Sequence, residues 1–276
     1  MDIVEACELK DREMIAVVGA GGKTALIFRL ARELSRAGNK VLISTTTRMF
    51  KPLSEQGGPL ILDNNPFSAK EKICKAFGQT NMVTLAEQLI EGDKIKGVLS
   101  EVLDELFEEG ACSYILVEAD GSRRKPIKAP GPHEPVVPQK ATQVFGVIGM
   151  DAIGRTLDEK TVHRPELLSE ITGTSMGSMI DCEIIARLIL SPRGLFKNAG
   201  LFSKKILVLN KAEDFILLDK ARQIASKVRT KLAEALRGDA GKCCEKEGDS
   251  SQKSKLFIGK ILITSLLEED PIIEIW

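Results

Sequence analysis

A glycine-rich turn between two apolar segments constrains the fold of this chain most strongly. The apolar run Met14–Val18 leads into Gly19–Thr24, with the sequence GAGGKT, and apolar residues then recur at helical spacing over Leu26–Leu34. This pattern predicts a strand that ends at a glycine cluster and continues as a helix. The first N–H groups of such a helix have no partner within the helix, so they are available to an anion.

The same turn indicates a site for nucleotide phosphates. The lysine contributes a mobile cation, and the threonine hydroxyl can bind Mg²⁺. The usual pattern G-x-x-x-x-G-K-[ST] needs glycine at position 17, where this chain has Val17, so the loop is shorter than usual. The alternative is a glycine turn that only caps the helix; the strand before and the amphipathic helix after favour a phosphate site. The predicted binding residues are Gly19, Gly21, Gly22, Lys23 and Thr24.

Apolar runs and helical segments alternate along the chain. Continuous apolar strands separated by helices are typical of a parallel sheet covered on both faces. We therefore expect an α/β fold, a doubly wound and mostly parallel sheet with helices on both faces, arranged as a three-layer sandwich like that of P-loop NTPases. Strands are predicted at Met14–Val18, Lys40–Ser44, Leu60–Leu62, Met82–Leu85, Tyr114–Val117, Val144–Ile148, Lys205–Leu209 and Lys260–Ile263, and helices at 24–34, Ala69–Phe77, Ser100–Glu108 and Asp214–Leu236.

Length and composition are those of one enzyme-sized unit. A chain of 276 residues with 43% hydrophobic residues can bury one large core, and we expect a single domain over 1–276. Two loops interrupt it. The proline-rich segment 125–138 is expected to be a stiff, extended loop over the carboxyl ends of the strands, and the polar segment 237–255 a flexible insertion.

Charge and hydropathy exclude several classes of partner. The 39 basic residues offset 39 acidic ones, so no net field attracts nucleic acid or an anionic membrane. No run approaches the roughly 18 apolar residues of a membrane span, and Met1–Glu5 lacks the basic-then-apolar form of a secretion signal. We expect a cytoplasmic protein without a nucleic-acid or membrane partner.

The six cysteines form no C-x-x-C pair, which argues against a disulfide framework and a zinc site. Most are expected to be small buried side chains. The adjacent Cys243 and Cys244 fall in the polar insertion, where a role in binding a soft metal or selenium stays open.

Polar side chains follow the predicted strands, at the edge where ligands bind in doubly wound sheets. Glu118 and Asp120 follow Tyr114–Val117 and are the predicted catalytic carboxylates, with Thr24 and Asp120 as ligands of Mg²⁺. Arg123, in a basic run, is predicted to stabilise charge on an anionic substrate. Thr46, after the second strand, is a candidate for phosphate or Mg²⁺, although threonine also simply continues strands.

A base-binding loop is predicted after the strand Lys205–Leu209. Asn210 and Lys211 begin a sequence close to the N-K-x-D tetrad that binds guanine, but Glu213 stands in the aspartate position and Asp214 comes one residue late. The alternative is that Asp214 caps the following helix. The nucleotide is accordingly ATP or GTP, with weak preference for GTP expected if Glu213 contacts the base.

The chain contains two histidines, His133 and His163, both in predicted polar loops. Each is either an acid–base or metal-binding group of the site or a surface histidine without a role.

Taken together, several segments resemble the YqeC family, described as accessory proteins of selenium-dependent molybdenum hydroxylases. The resemblance covers most of the chain and is most specific over Glu118–Pro138. It is carried by Val18–Thr24, Thr45–Thr47, Val117–Pro130, His133–Pro135, Val162–Glu166 and Asn210–Ala212.

The resemblance implies a nucleotide-binding accessory protein in the maturation of selenium-dependent molybdenum hydroxylases. Its partners would be a nucleoside triphosphate with Mg²⁺ and a client hydroxylase or cofactor precursor. Two functions remain open: a Mg²⁺-dependent NTPase or nucleotide-driven transferase, and a non-catalytic scaffold that binds a cofactor precursor or the client enzyme.

Overall fold

The structure, a computed structural model, describes residues 1–240 and 256–276. The strands in this part of the chain are β1 (Glu13–Gly19), β2 (Val41–Thr45), β3 (Arg48–Phe50), β4 (Leu60–Leu62), β5 (Met82–Ala86), β6 (Gln88–Ile90), β7 (Lys94–Lys96), β8 (Tyr114–Glu118), β9 (Ile127–Lys128), β10 (Gln143–Gly149), β11 (Val162–His163), β12 (Lys204–Asn210), β13 (Ile258–Thr264) and β14 (Ile272–Ile275). The helices are α1 (Ile3–Cys7), α2 (Lys23–Arg36), α3 (Ser54–Gly57), α4 (Pro66–Ala76), α5 (Ser100–Glu108), α6 (Pro165–Thr172), α7 (Cys182–Leu190) and α8 (Phe215–Ala240), with a 3₁₀ turn at Met150–Ala152.

Nine strands form the main sheet of the described chain, in the order β14-β13-β12-β10-β1-β8-β2-β5-β4. All neighbouring pairs are parallel except β13 with β14, which are antiparallel. β1 therefore lies in the interior of the sheet, with β8 and β10 as its neighbours. The prediction of an α/β fold built on a mostly parallel sheet is confirmed.

Helices cover both faces of the sheet, because successive side chains of its strands point to opposite faces. Ile15 and Val17 of β1 pack in one apolar cluster with α1 and α2. Met14, Ala16 and Val18 pack in the other cluster with α4, α5, α6, α7 and α8. This two-sided burial explains the continuous apolar runs of the sequence.

Local signals set the ends of several helices. Asn65 caps α4 by accepting from the N–H groups of Phe67 and Ser68, with Pro66 at the first helical position, so α4 begins three residues before its predicted start. Asp214 accepts from the N–H of Leu217 at 2.8 Å and caps α8. α8 continues to Ala240, which places its last turn inside the predicted insertion 237–255. The rest of that insertion, with Cys243 and Cys244, lies outside the described residues.

Two small sheets lie apart from the main sheet. β3, β7 and β6 form an antiparallel sheet, and β9 pairs with β11. β9 belongs to the proline-rich segment 125–138, and the carbonyl of Pro126 in that segment accepts from the N–H of Gly149 at the end of β10 at 2.9 Å. None of the helices in residues 1–240 and 256–276 combines the length and apolarity needed to cross a membrane.

Candidate functional site

The glycine turn lies at the carboxyl end of β1, enclosed by the ends of two further strands. Gly21 has φ +80°, and a Cβ there would lie 2.2 Å from the backbone N of Gly149 at the end of β10. Gly22 has φ +143°, and a Cβ would lie 2.3 Å from Nδ2 of Asn210. These contacts explain why the turn needs glycine at both positions.

Free backbone donors converge at this turn. Across residues 1–240 and 256–276, no acceptor is hydrogen-bonded to the N–H groups of Gly21, Gly22, Lys23 and Thr24, whereas the N–H of Ala20 donates to the carbonyl of Val147. The four residues line one cleft at the start of α2. Such a set of N–H groups at a helix N-terminus favours an anion.

Lys23 and Asp120 form a buried ion pair beneath the turn. Lys23 is 3% exposed, its Nζ donates to the carbonyl of Gly19 at 2.7 Å, and it lies 3.2 Å from Oδ1 of Asp120. Oδ2 of Asp120 accepts from the N–H of Gly19 at 3.0 Å and lies 3.0 Å from Nζ of Lys128. Among the described residues no donor meets Oδ1 in hydrogen-bond geometry, so its contact with Lys23 is one of charge alone.

Glu118, the last residue of β8, contacts the first turn of α2. Its Oε2 accepts from Oγ1 of Thr24 at 2.8 Å. Burial raises the pKa of the Glu118 carboxyl, and the nearby Lys23 ammonium and the Thr24 hydrogen bond oppose that rise. The side-chain hydroxyl of Thr24 thus contacts Glu118, whereas Asp120, the predicted second metal ligand, contacts Gly19 and the two lysines.

A chain of charges extends from Asp120 to the proline-rich segment. Lys128 donates to Oε2 of Glu134 at 2.6 Å, and Arg164 binds the same carboxylate through both of its terminal nitrogens, at 2.6 and 2.9 Å. Burial opposes ionisation of Glu134, but the hydrogen bonds from Arg164 and Lys128 outweigh it and lower its pKa to about 2. Sequence reasoning assigned no role to these three residues, although all lie in segments that carry the family resemblance.

The threonines after β2 have distinct partners. Thr45 donates to the carbonyl of Glu118 at 2.8 Å, and Thr46 donates to the carbonyl of Val136 at 2.8 Å. The hydroxyl of Thr46 therefore ties β2 to the proline-rich segment. Thr47 and Arg48 line the cleft.

Asn210 connects the glycine turn to the last parallel strands. Its Nδ2 donates to the carbonyl of Gly21 at 2.8 Å, and its Oδ1 accepts from the Thr264 hydroxyl and the Leu266 N–H. Lys211, with φ +65°, lines the cleft and pairs with Asp151 at 2.8 Å. In this loop Glu213 accepts from the Ser265 hydroxyl, and Asp214 serves as the cap of α8.

The cleft has a volume of about 630 Å³ and is strongly cationic. Among the described residues, eight of its lining side chains are lysine or arginine and two are carboxylates, Glu118 and Glu134. Arg123, predicted to bind substrate charge, is one of the eight. In a chain without net charge, this concentration indicates an anion site.

The two histidines differ in position. His163 lines the cleft, and burial together with the neighbouring Arg164 and Lys128 cations lowers its pKa to about 4. His133 is exposed and is not part of the lining. His163 is therefore neutral at physiological pH.

The described residues contain no group of three or more histidine, cysteine, aspartate or glutamate side chains that would hold a metal. Cys7, Cys112 and Cys182 are buried and Cys74 is exposed. Burial raises the pKa of both Cys7 and Cys112 to about 12, which keeps these thiols protonated.

Comparisons with known proteins give a consistent assignment. The family model described as "YqeC protein" matches residues 15–166, a range that contains the glycine turn, Glu118, Asp120 and Arg164 and ends before Asn210. The chain is also similar to "Uncharacterized protein YqeC" of Escherichia coli (strain K12), with 32% identity over 214 residues that cover 76% of this chain and 80% of the relative. The chain belongs to the YqeC family.

Proposed function

We propose that this protein binds a nucleoside triphosphate with Mg²⁺ and hydrolyses it or transfers its terminal phosphoryl group. The observation that carries the proposal is the set of N–H groups from Gly21 to Thr24, which have no acceptor among the described residues and belong to residues lining a cationic cleft. Backbone donors, a helix N-terminus and a lysine together are the elements that bind nucleotide phosphates.

Lys23 would have to leave Asp120 to reach a phosphate. Its ammonium lies 3.2 Å from Oδ1 of Asp120, so a rotation of the side chain exchanges one anionic partner for another. Asp120 keeps a counter-charge after that exchange, because Lys128 lies 3.0 Å from its other oxygen. The buried carboxylate therefore does not lose all compensation when Lys23 moves.

The donor set also suits Mg²⁺, which takes oxygen ligands and, in phosphate sites, combines one or two carboxylates with phosphate oxygens and water. Thr24 and Asp120 are the proposed ligands, supported by Oδ1 of Asp120, which is buried and accepts no hydrogen bond from the described residues; Glu118 holds the Thr24 hydroxyl in place. When bound, the ion would neutralise charge on the phosphates.

Glu118, whose pKa is raised, would accept a proton from the attacking water or hydroxyl. Arg123 would stabilise charge on the transferred group.

The base is proposed to lie near Asn210 and Lys211, and it is adenine or guanine. Glu213 is one methylene longer than the aspartate of the guanine-binding tetrad, so we expect weak preference for GTP over ATP. Competition binding of the two nucleotides tests this, since Glu213→Asp should shift the preference toward GTP. An unchanged ratio would remove Glu213 from the base site.

The cellular role that we propose is maturation of selenium-dependent molybdenum hydroxylases. It rests on the family resemblance, and the client hydroxylase or a cofactor precursor would be the second partner. A cytoplasmic location fits this role.

The direct test of nucleotide binding is calorimetric titration of ATP and GTP with Mg²⁺, combined with an assay of phosphate release. Lys23→Ala should weaken binding about tenfold or more, the scale of a hydrogen bond between charged groups. Lys75→Ala, at an exposed position of α4, is the matched control and should bind as the parent does. Equal affinity of Lys23→Ala and the parent would refute the proposal.

A non-catalytic scaffold is the second candidate, and one observation favours it. Lys23 already has Asp120 and the Gly19 carbonyl as partners, so its own charge is compensated without phosphate. Nucleotide binding that depends on Lys23 but is accompanied by no phosphate release, alone or with a client protein, would favour the scaffold.

A further inference from the structure

The cleft continues past the glycine turn to the small sheet formed by β3, β7 and β6. Met49 is buried against Ile95 and Ala86, so its neighbours Arg48 and Phe50 point to the opposite face of β3. Phe50 and Lys94 are paired residues of the antiparallel ladder, and both line the cleft with Arg48. The small sheet therefore presents one face to the cleft.

The cations on this side of the cleft have no acidic partners. Within residues 1–240 and 256–276, no carboxylate lies within ion-pair distance of Arg48, Lys94, Arg123 or Arg124, whereas Lys23, Arg164 and Lys211 are each paired with an acid. Lys125, the eighth cation of the lining, instead donates to the carbonyl of Lys160 at 2.8 Å. Four uncompensated cations in one cleft repel one another. Such an arrangement is favourable when an anion binds among them.

Phe50 orients two of these cations without neutralising them. The guanidinium of Arg124 lies 4.4 Å and the ammonium of Lys94 lies 5.2 Å from the centre of its ring, and the ring is 46% exposed. A carboxylate in the same position would cancel their charge, whereas an aromatic ring fixes them by cation–π contact and leaves their donors available. Arg123 and Arg124 also have φ of +49° and +60°, a conformation that costs energy in non-glycine residues and is found at ligand sites.

This group of cations lies on the opposite side of β1 from the loop proposed to hold the base. β12, which ends at Asn210, is two strands from β1 on one side, and β2, which leads to Arg48, is two strands away on the other. Four strand spacings separate them, roughly 19 Å. A nucleotide with its base near Asn210 and its phosphates at the glycine turn would leave the group beyond its terminal phosphate.

We propose that Arg48, Lys94, Arg123 and Arg124, with Phe50 as their platform, form a second anion subsite that binds a phosphate-bearing small molecule, the second substrate of the protein. The inference rests on the proposed function, because it assigns the glycine turn to the nucleotide. The charge of a triphosphate with Mg²⁺ is largely satisfied by the metal, Lys23 and the backbone donors, so these four cations are available to a separate anion, and Arg123 would also contact the phosphoryl group as it is transferred to that anion.

The test uses inorganic phosphate as the probe, titrated calorimetrically into protein saturated with Mg²⁺ and a non-hydrolysable ATP analogue. Lys94 and Lys96 on β7 provide a matched pair, since Lys96 is already paired with Glu87 at 2.6 Å. Lys94→Ala and Arg124→Ala should weaken phosphate binding about tenfold each, the scale of a lost charge-assisted hydrogen bond. Lys96→Ala should bind phosphate as the parent does, and the analogue should bind all three variants equally.

Titrating phosphate into Lys23→Ala without nucleotide separates this inference from the proposed function. Phosphate binding that survives Lys23→Ala and is lost in Arg124→Ala supports the subsite, even if nucleotide binding fails in the parent. Phosphate binding that is lost in Lys23→Ala and retained in Lys94→Ala and Arg124→Ala would place the probe at the glycine turn and overturn the inference. No phosphate binding to the parent would also overturn it.

Discussion

Asp120 is the residue on which the charges of the site converge. It lies between two buried lysines, Lys23 and Lys128, and its second oxygen also accepts from the backbone of Gly19. If its charge is removed, Lys23 and Lys128 both lose an anionic partner, and both are buried away from water. A buried charge that loses its partner is costly, which distinguishes Asp120 from a surface carboxylate.

We expect Asp120→Asn to lower the turnover of nucleotide more than it lowers nucleotide affinity, because the lost carboxylate acts mainly on the metal and the transferred group. The free energy of unfolding should also fall by about 3 kcal/mol, as for other broken buried ion pairs. Steady-state kinetics, calorimetric affinity and urea unfolding measure the three quantities. Asp11→Asn, at an exposed position, is the control. Equal losses of turnover and affinity would assign Asp120 a structural role.

His163 should make stability depend on pH. Its pKa is lowered from 6.5 to about 4 in the folded chain, so between these values the unfolded chain binds a proton that the folded chain does not. Stability should therefore fall as the pH falls from 6.5 to 4. Below that window, Glu134 adds a further loss as the pH falls from about 4.5 to about 2, because its carboxylate is ionised only in the folded state there.

The measurement is urea unfolding at several pH values between 7 and 4. His163→Gln should flatten the profile because glutamine does not titrate, whereas His133→Gln, at the exposed histidine, should leave it unchanged. A profile for His163→Gln that matches that of the parent would show that His163 is not responsible.

The beginning of α8 separates a structural role from base recognition. Asp214 accepts from the N–H of Leu217, as an N-cap does, while Glu213 accepts from Ser265. The two adjacent acids at the beginning of α8 thus have different partners. From the sequence alone, either of them could have contacted the nucleotide base.

We expect Asp214→Ala to lower the free energy of unfolding by about 1 kcal/mol and to leave the ratio of ATP to GTP affinity unchanged, because only the cap is lost. Asp214→Asn, which keeps an acceptor oxygen, should retain most of that stability. A change in the affinity ratio for Asp214→Ala would instead assign the aspartate to the base site.

The whole sheet positions the site, because its parallel strands end at one edge. The ends of β1, β8, β10 and β12 meet around the glycine turn, where backbone and side chains pack too closely for a Cβ. Gly21 lies against Gly149, a residue 128 positions away, so the conformation of the turn depends on the packing of β10 beside β1.

Gly21→Ala should therefore abolish nucleotide binding and destabilise the fold, since the added Cβ would meet the backbone of Gly149 at 2.2 Å. Gly110→Ala is the matched control: its φ is also positive, +68°, but among the described residues no atom beyond its chain neighbours lies within 4 Å of the added Cβ. The control should lose only the 1–2 kcal/mol or so of a left-handed residue and bind nucleotide normally. Thermal unfolding and calorimetry compare the two, and equal effects would show that packing against β10 is unimportant.

Local periodicity was sufficient to predict most long elements. The predicted strands Leu60–Leu62 and Met82–Leu85 and the helix Ser100–Glu108 agree with β4, β5 and α5 to within one residue at each end. The strands β3, β6 and β7 are as short as β4 but were missed, because each contains charged or polar residues and so lacks the continuous apolar run of Leu60–Leu62. The helices α6 and α7 and the antiparallel edge strand β14 were not predicted either.

The sequence by itself determined the alternation of strands and helices and the position of the glycine turn between β1 and α2, because these depend on residues close together in the chain. Only the tertiary structure decided which side chains meet. Glu118 reaches Thr24 across 94 positions, and Asn210 reaches Gly21 across 189. Arg124 and Phe50, which are in contact, are likewise far apart in the chain. Such pairs follow from the order and register of the strands, which the packing of the entire sheet sets and local hydrophobic patterns do not encode.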